Sequence, residues 1–300
     1  MTTNFSEIQQ RLIFEYCENR ELGAKVPDIM EKLYEIDRLR TERNAIILAH
    51  YYQIPPIQMI ADMKGDSLKL AQYAEKIGNK DLVVSSTVVF MAEMIKLLSP
   101  DKKVVVPDLE AGCSIASGIN GESVKKIREN FPNSGIVSYI NTYADTKAEV
   151  DVVCTSANAH QIIKNLPGNP IISLPDYFFF NNIVKSFLKD RDDGRDYIVY
   201  KGRDSENLIL ENFRDKTIYR IPLTLSKMPE LEEGVCIVHK QFDAKRVQDD
   251  REIYAVDAVL AHPDVNPDVA AVSDFVGGTN NMLDYVGKSS GKRIFRKNIG

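Results

Sequence analysis

The sequence has no basic excess, no long apolar run and no CxxC pair, and each absence narrows what it can do. Lys and Arg number 38 against 43 Asp and Glu, for a formal net charge of −5. Nucleic-acid surfaces usually need a basic face, so no nucleic-acid partner is expected. No apolar run approaches the ~18 residues that a bilayer-spanning helix requires. The opening Met1-Thr2-Thr3-Asn4-Phe5-Ser6-Glu7-Ile8 lacks the basic and apolar regions of a secretory signal. A soluble, cytoplasmic protein without a membrane partner is the expectation. The cysteines, Cys17, Cys113, Cys154 and Cys236, lie far apart. In such a chain they read as free thiols or metal ligands rather than as a disulfide framework. A lone Cys is also an ordinary small buried residue, so composition promotes none of them to a ligand.

The chain is 44% apolar and 27% charged, enough for a packed core. Apolar stripes at helical spacing (Ile8, Leu12, Ile13, Tyr16, then Ile29, Met30, Leu33, Tyr34, Ile36, Leu39) predict N-terminal helices over residues 1–43. Short β-branched runs then alternate with helical stretches, among them 45–49, 82–84, 103–106, 135–140, 152–153, 170–172 and 258–261. That alternation predicts an α/β protein with parallel sheets. The charge-dense 189–196 and the β-like Tyr197-Ile198-Val199-Tyr200 read as a solvated surface excursion or extra hairpin within an insertion of about 185–231.

A repeat lies in the spacing. Strand-like segments end in Ala49-His50-Tyr51-Tyr52, Tyr139-Ile140-Asn141-Thr142 and Ala261-His262-Pro263-Asp264. Each is followed by a small-hydroxyl segment, at Ser67, Ser156 and Thr279, with offsets 67−50 = 17, 156−141 = 15 and 279−262 = 17. A lone cysteine after a later strand closes the first two units, at Cys113 and Cys236. The predicted architecture is a pseudo-threefold repeat of three-layer α/β/α units: 44–115, 116–240 with the charged insertion, and a partial third unit over 241–300. Polar tips at the carboxyl ends of parallel strands gather ligands. Hydroxyls at helix starts hold anions or merely cap. His50, His239 and His262, with Asp264 and Tyr52, would supply acid–base groups. Two cysteines do not complete a cluster site; a third at the first unit's spacing would fall at roughly 325, beyond residue 300.

The sequence resembles the quinolinate synthase family. The resemblance rests on Asn44 to Gln53 (NAIILAHYYQ), Gly65-Asp66-Ser67-Leu68, Phe90-Met91-Ala92-Glu93, Pro100 to Cys113 (PDKKVVVPDLEAGC), Tyr139-Ile140-Asn141-Thr142, Cys154 to Ala159 (CTSANA), Cys236-Ile237-Val238-His239 and His262-Pro263-Asp264. It implies a [4Fe–4S] cluster held by one cysteine per unit, Cys113 and Cys236 being the first two, with one iron open to substrate. It implies condensation of iminoaspartate with dihydroxyacetone phosphate to quinolinate in NAD biosynthesis, with the enzyme that supplies iminoaspartate as an expected partner. His50, Ser67, Tyr139, Asn141, Ser156, His262, Asp264 and Thr279 match substrate-contacting positions, and His239 joins them from its place beside Cys236. His50, Tyr52, His262 and Asp264 are the expected proton-transfer set. Asp264 stands where the family usually has Glu. The missing third cysteine predicts a fragment with a truncated third unit, inactive or weakly cluster-binding alone. The alternative is a cluster-less homologue that binds a phosphorylated or dicarboxylic metabolite.

Overall fold

A computed structural model describes residues 7–18, 26–223, 233–289 and 294–297. The chain forms two compact units that meet in sequence at Ala111 and Gly112. The first begins with α1 (Glu7–Glu18) and α2 (Val26–Glu42), then runs β1 (Ala45–His50), α3 (Pro55–Ile60), β2 (Met63–Gly65), α4 (Ser67–Lys76), β3 (Leu82–Ser86), α5 (Val89–Leu98) and β4 (Lys103–Val105). Its strands are all parallel, in the order β2-β1-β3-β4. Alternation along β1 makes three layers. Ile46 and Leu48 pack with Leu70, Ala74 and Ile95 of α4 and α5, while Ile47 packs with Ile13, Leu33 and Ile60 of α1, α2 and α3. Period-two side-chain direction requires this when both faces of a strand are buried.

The second unit continues with α6 (Ser114–Ser117), α7 (Gly121–Asn130), β5 (Gly135–Tyr139), α8 (Ala144–Glu149), β6 (Val152–Cys154), α9 (Ala159–Asn165), β7 (Ile171–Leu174), α10 (Tyr177–Asp190) and β8 (Tyr197–Arg203). Then come β9 (Asn207–Asn212), β10 (Ile218–Pro222), α11 (Ala244–Ile253), β11 (Ala258–Ala261), α12 (Pro267–Ala271), β12 (Phe275–Val276), α13 (Thr279–Gly287) and β13 (Ile294–Lys297). Its sheets have the orders β6-β5-β7-β8-β9-β10 and β12-β11-β13. Across the chain, each sheet places its second strand at one edge, its first strand inside and its third strand next. The predicted α/β repeat with parallel strands is therefore present, sheet by sheet.

Of the two expectations for this stretch, the extra hairpin is present, and it is the solvated reading of its first strand that fails. Tyr197, Ile198, Val199 and Tyr200 are all buried, because β8 joins the second sheet parallel to β7. β9 and β10 then extend that sheet antiparallel. The turn before β8 stays charged and open, tied by an Arg214–Asp192 ion pair to the equally exposed turn between β9 and β10. Residues 224–231 of the predicted insertion lie outside the described residues.

One repeated interaction was not read from the sequence. An aspartate just before each edge strand grips the strand inside. Asp62 Oδ2 accepts the N–H of Ile47 at 2.8 Å, Asp151 Oδ2 that of Ile136 at 2.7 Å, and Asp274 Oδ2 that of Val259 at 2.8 Å. Each aspartate N–H also donates to the carbonyl of that same residue. Arg40, Arg128 and Arg251 pair with the three carboxylates. This clamp resets the register of the repeat. Counting back from it, His50, Tyr139 and His262 are equivalent (62−50 = 151−139 = 274−262 = 12). The hydroxyls follow at a constant step (67−62 = 156−151 = 279−274 = 5). Tyr139, not Asn141, thus corresponds to the two histidines, and the offset of 15 becomes 156−139 = 17 in all three. Asn141 corresponds to Tyr52 and Asp264. Among the described residues, no helix is long and apolar enough to cross a membrane.

Loss of a charge-assisted hydrogen bond sets the expected cost of breaking a clamp: Asp151→Ala lowers the unfolding free energy by about 1–2 kcal/mol. Arg128→Ala, which removes a pair open to solvent at both ends, costs under about 1 kcal/mol. Urea unfolding followed by circular dichroism measures both. The Arg251 guanidinium first, and the Val259 N–H next, hold the Asp274 carboxyl below its usual range. A value lower in the folded than the unfolded chain adds stability above the ordinary carboxylate range and loses it as pH falls. The stability gap between the parent and Asp274→Asn therefore closes on acidification from pH 7 to about 3.

Candidate active site

In the first unit the polar tip sits where β1 ends. The His50 ring lies 4.1 Å from that of Tyr52, and His50 Nδ1 accepts the Tyr52 N–H at 3.3 Å. The Tyr52 hydroxyl accepts the Val88 N–H at 2.8 Å. Ser67 is the first residue of α4 and is buried, while the preceding Asp66 caps the helix by accepting the Lys69 N–H. Ser67 therefore does not do the capping, and its hydroxyl is left for another partner. These residues lie at the carboxyl end of the parallel strands, as predicted.

The second unit brings residues from both of its sheets together. His262 and Asp264 follow β11, and both are buried. His262 Nδ1 lies 2.9 Å from Asp264 Oδ1, His239 Nδ1 lies 3.9 Å from Oδ2, and the Tyr139 hydroxyl donates to Oδ2 at 3.4 Å. The rings of His239 and His262 are nearly parallel, 5.9 Å apart. Burial pushes the Asp264 carboxyl up, but the two imidazoles and the Tyr139 hydroxyl outweigh it and hold it below the ordinary carboxylate range. Burial first, then the Asp264 charge, pushes the Tyr139 phenol well up. The result is an ionised carboxylate beside two imidazoles and a neutral phenol, an arrangement able to hold or move a proton.

Two of the predicted hydroxyl tips converge in this unit. A Cβ on Gly278 would lie 2.4 Å from Ser156 Oγ, so only glycine lets the turn before α9 approach the start of α13 this closely. Thr279 is the first residue of α13, whose cap, Gly278, offers no side chain to the free N–H groups. Ser156 lies three residues before α9, in the turn rather than at the helix start itself. A hydroxyl facing an uncapped helix N-terminus suits an anion. Asn141 is half-buried in the turn after β5.

Cys113 precedes α6 and Cys236 precedes the short 3-10 turn His239–Gln241. The Ser114 hydroxyl accepts the Ile237 N–H at 3.3 Å, joining the two cysteine segments across 123 positions of sequence. Burial, and then the charge of Cys236, raises the Cys113 thiol to about 12. Burial raises Cys236 too. Two partly accessible thiols within electrostatic reach of each other fit two soft-metal ligands. Among the described residues, no group of three or more His, Cys, Asp or Glu side chains is arranged to hold a metal ion. Cys17 and Cys154 are buried, the ordinary place of a lone cysteine.

Sequence reasoning missed Asp176. It caps α10 by accepting the Phe179 N–H at 3.0 Å and is completely buried. Phe179 stacks on Tyr139 with ring centres 4.2 Å apart. The available signal was an Asp between a strand and an aromatic-rich helix start, the ordinary mark of a cap. Also missed was Gly234, whose N–H donates to the Lys201 carbonyl and whose carbonyl accepts the Tyr177 N–H, fixing the approach to Cys236.

Repeated α/β sheets with histidine, carboxylate, hydroxyl and thiol groups at their strand ends have the make-up of a small-molecule enzyme. Comparison with known proteins gives the family. Residues 34–296 match the family described as quinolinate synthetase A protein. The chain is 36% identical over 277 residues to the quinolinate synthase of Aquifex aeolicus (strain VF5), covering 92% of this chain and 74% of that one. It is 38% identical over 260 residues to that of Alkaliphilus metalliredigens (strain QYMF), covering 87% and 73%. It is likewise 38% identical over 252 residues to that of Methanothermobacter thermautotrophicus (strain Delta H), covering 84% and 71%. The chain belongs to the quinolinate synthetase A family.

The raised Cys113 thiol has a measurable consequence. In metal-free protein its iodoacetamide alkylation is expected to accelerate about tenfold per pH unit between pH 8 and 10, since only the thiolate reacts. Peptide mass spectrometry, with unfolded protein as the fast reference, follows the rate; a plateau below pH 9 contradicts it.

Proposed function

We propose that this protein is a quinolinate synthase, condensing iminoaspartate with dihydroxyacetone phosphate to quinolinate, with loss of phosphate and water, in the synthesis of NAD. Family membership supports the reaction class. The single structural observation that carries the reading is the buried Asp264 carboxylate between His262, His239 and the Tyr139 hydroxyl. The condensation needs a proton taken from carbon beside a carbonyl and protons returned to departing oxygens. A carboxylate–imidazole pair suits both tasks near neutral pH. Asp264 would hold the His262 ring and balance its positive charge when it takes a proton. Tyr139 would keep Asp264 in place.

Ser156, with Thr279 and the start of α13, would hold an acidic group of one substrate, the phosphate or a carboxylate. His50, Tyr52 and Ser67 carry the corresponding chemistry on the first unit, and Asn141 an amide able to donate or accept. Cys113 and Cys236 would hold a [4Fe–4S] cluster, whose open iron, when the cluster is bound, supplies a Lewis acid for a hydroxyl or carboxylate. Both thiols must lose their protons to serve, so loading is expected to improve with rising pH. The protein is proposed to work in the cytoplasm and to receive its unstable imine from an aspartate-oxidising partner.

A second reading has one observation in its favour: two thiols, and no third ligand beside them among the described residues. On that reading the chain binds the same acids without turnover. Protein reconstituted with iron and sulfide under argon, and supplied with dihydroxyacetone phosphate and enzymatically generated iminoaspartate, tests both. Quinolinate detected by chromatography, falling at least about tenfold in His262→Gln, supports the synthase. Calorimetric binding of both acids with no quinolinate formed supports the binding homologue and overturns the first reading.

A further inference from the structure

α10 reaches the site at two places one turn apart. Phe179 stacks on Tyr139, whose hydroxyl donates to Asp264 Oδ2. Asn182, three residues on and so on the same side of the helix, meets the turn that carries Asp264. Its Nδ2 donates to the Pro263 carbonyl at 2.8 Å and to the Val265 carbonyl at 2.9 Å, across 81 and 83 positions of sequence.

The turn explains why an asparagine stands there. His262-Pro263-Asp264-Val265 closes on one hydrogen bond, from the Val265 N–H to the His262 carbonyl at 3.1 Å, with Pro263 at the position its fixed φ suits. That bond leaves the carbonyls on either side of Asp264 to find donors elsewhere. All four residues are buried, so water is a poor substitute. A carboxamide carries two N–H groups on one nitrogen, one for each carbonyl; a hydroxyl offers one and a carboxylate none. The side chain and the backbone of Asp264 are thus both held to one helix, the first through Tyr139 and Phe179, the second through Asn182.

We propose that Asn182 is a positioning residue for the proton-transfer pair: it locks the His262–Val265 turn so that the Asp264 carboxylate stays in place against the His262 ring. This rests on the synthase reading above, in which His262 moves the proton. The two side chains meet at 2.9 Å, and a shift of about 1 Å between such groups costs rate steeply. The hydroxyl tips proposed to hold the substrate's acidic groups lie on other loops, so loss of the lock falls on kcat rather than on KM.

Two substitutions remove the lock by different means. Asn182→Leu keeps a branched shape and withdraws both donors. Asn182→Asp keeps the outline and turns carboxylate oxygens toward the two carbonyls. In reconstituted protein, kcat per folded, iron-loaded chain is expected to fall about tenfold or more in both, while KM for dihydroxyacetone phosphate stays within about threefold of the parent. Amide hydrogen exchange, followed by NMR on metal-free protein, needs no turnover. The Val265 N–H is expected to exchange at least about tenfold faster in either variant, while the β11 amides keep the parent rate. Melting temperatures show whether one variant fails to fold, in which case the other is read. A folded variant with the parent's kcat, or with the parent's exchange at Val265, overturns the proposal and leaves the synthase reading standing. A variant that melts lower yet keeps the parent's kcat per folded chain shows a packing role alone and overturns it equally. A folded parent that makes no quinolinate overturns the synthase reading and the proposal with it.

Discussion

A single carboxylate at the edge of each sheet sets the geometry on which the rest depends. The edge strands are only two or three residues long, too short for their own ladder to fix the register firmly. Asp62, Asp151 and Asp274 add a side-chain hydrogen bond and a backbone hydrogen bond just before each edge strand begins. Once that register is set, the chain reaches the end of the inner strand three residues further on, at His50 and Tyr139 or, just past the strand, at His262, and the hydroxyl follows five residues after the aspartate. The clamp thus turns a sequence interval into a spatial one. An aspartate one residue out of place would move the side chains of a strand buried on both faces to the wrong face.

The chemistry in the second unit follows from unequal compensation of charge. Asp264 and Asp176 are both buried carboxyls, yet only Asp264 is met by imidazoles and a phenol. Desolvation alone would protonate both; specific partners leave one ionised. The pair of neutral thiols nearby obeys the same rule, since burial without a positive partner keeps Cys113 and Cys236 protonated. A metal arriving there would supply the missing positive charge.

Much of the fold was legible because it is periodic. The β-branched runs at 45–49, 135–140 and 258–261 are the inner strands β1, β5 and β11, and the N-terminal stripes are α1 and α2. The charged stretch before Tyr197 misled, because its charges occupy one turn while the strand that follows is buried on both faces. The register of the second unit misled for a different reason. Tyr139 does not look like a counterpart of histidine, and only the clamp at Asp151 shows that it is one. Several site residues were visible as polar tips, since a strand that hands over to a loop must end in residues that can face a ligand or water.

The sequence by itself determined the alternation of strands and helices, the inventory of histidines, hydroxyls and thiols, and the intervals between them, because these depend on local pattern and side-chain chemistry. Tertiary structure decided which groups meet: the segment of Cys113 with that of Cys236, Ser156 with the start of α13, Tyr139 with Asp264. It also decided that Asp176, an ordinary helix cap by sequence, is completely buried. Desolvation and charge compensation are properties of a packed neighbourhood, and residues more than a hundred positions apart supply that neighbourhood only after the chain has folded.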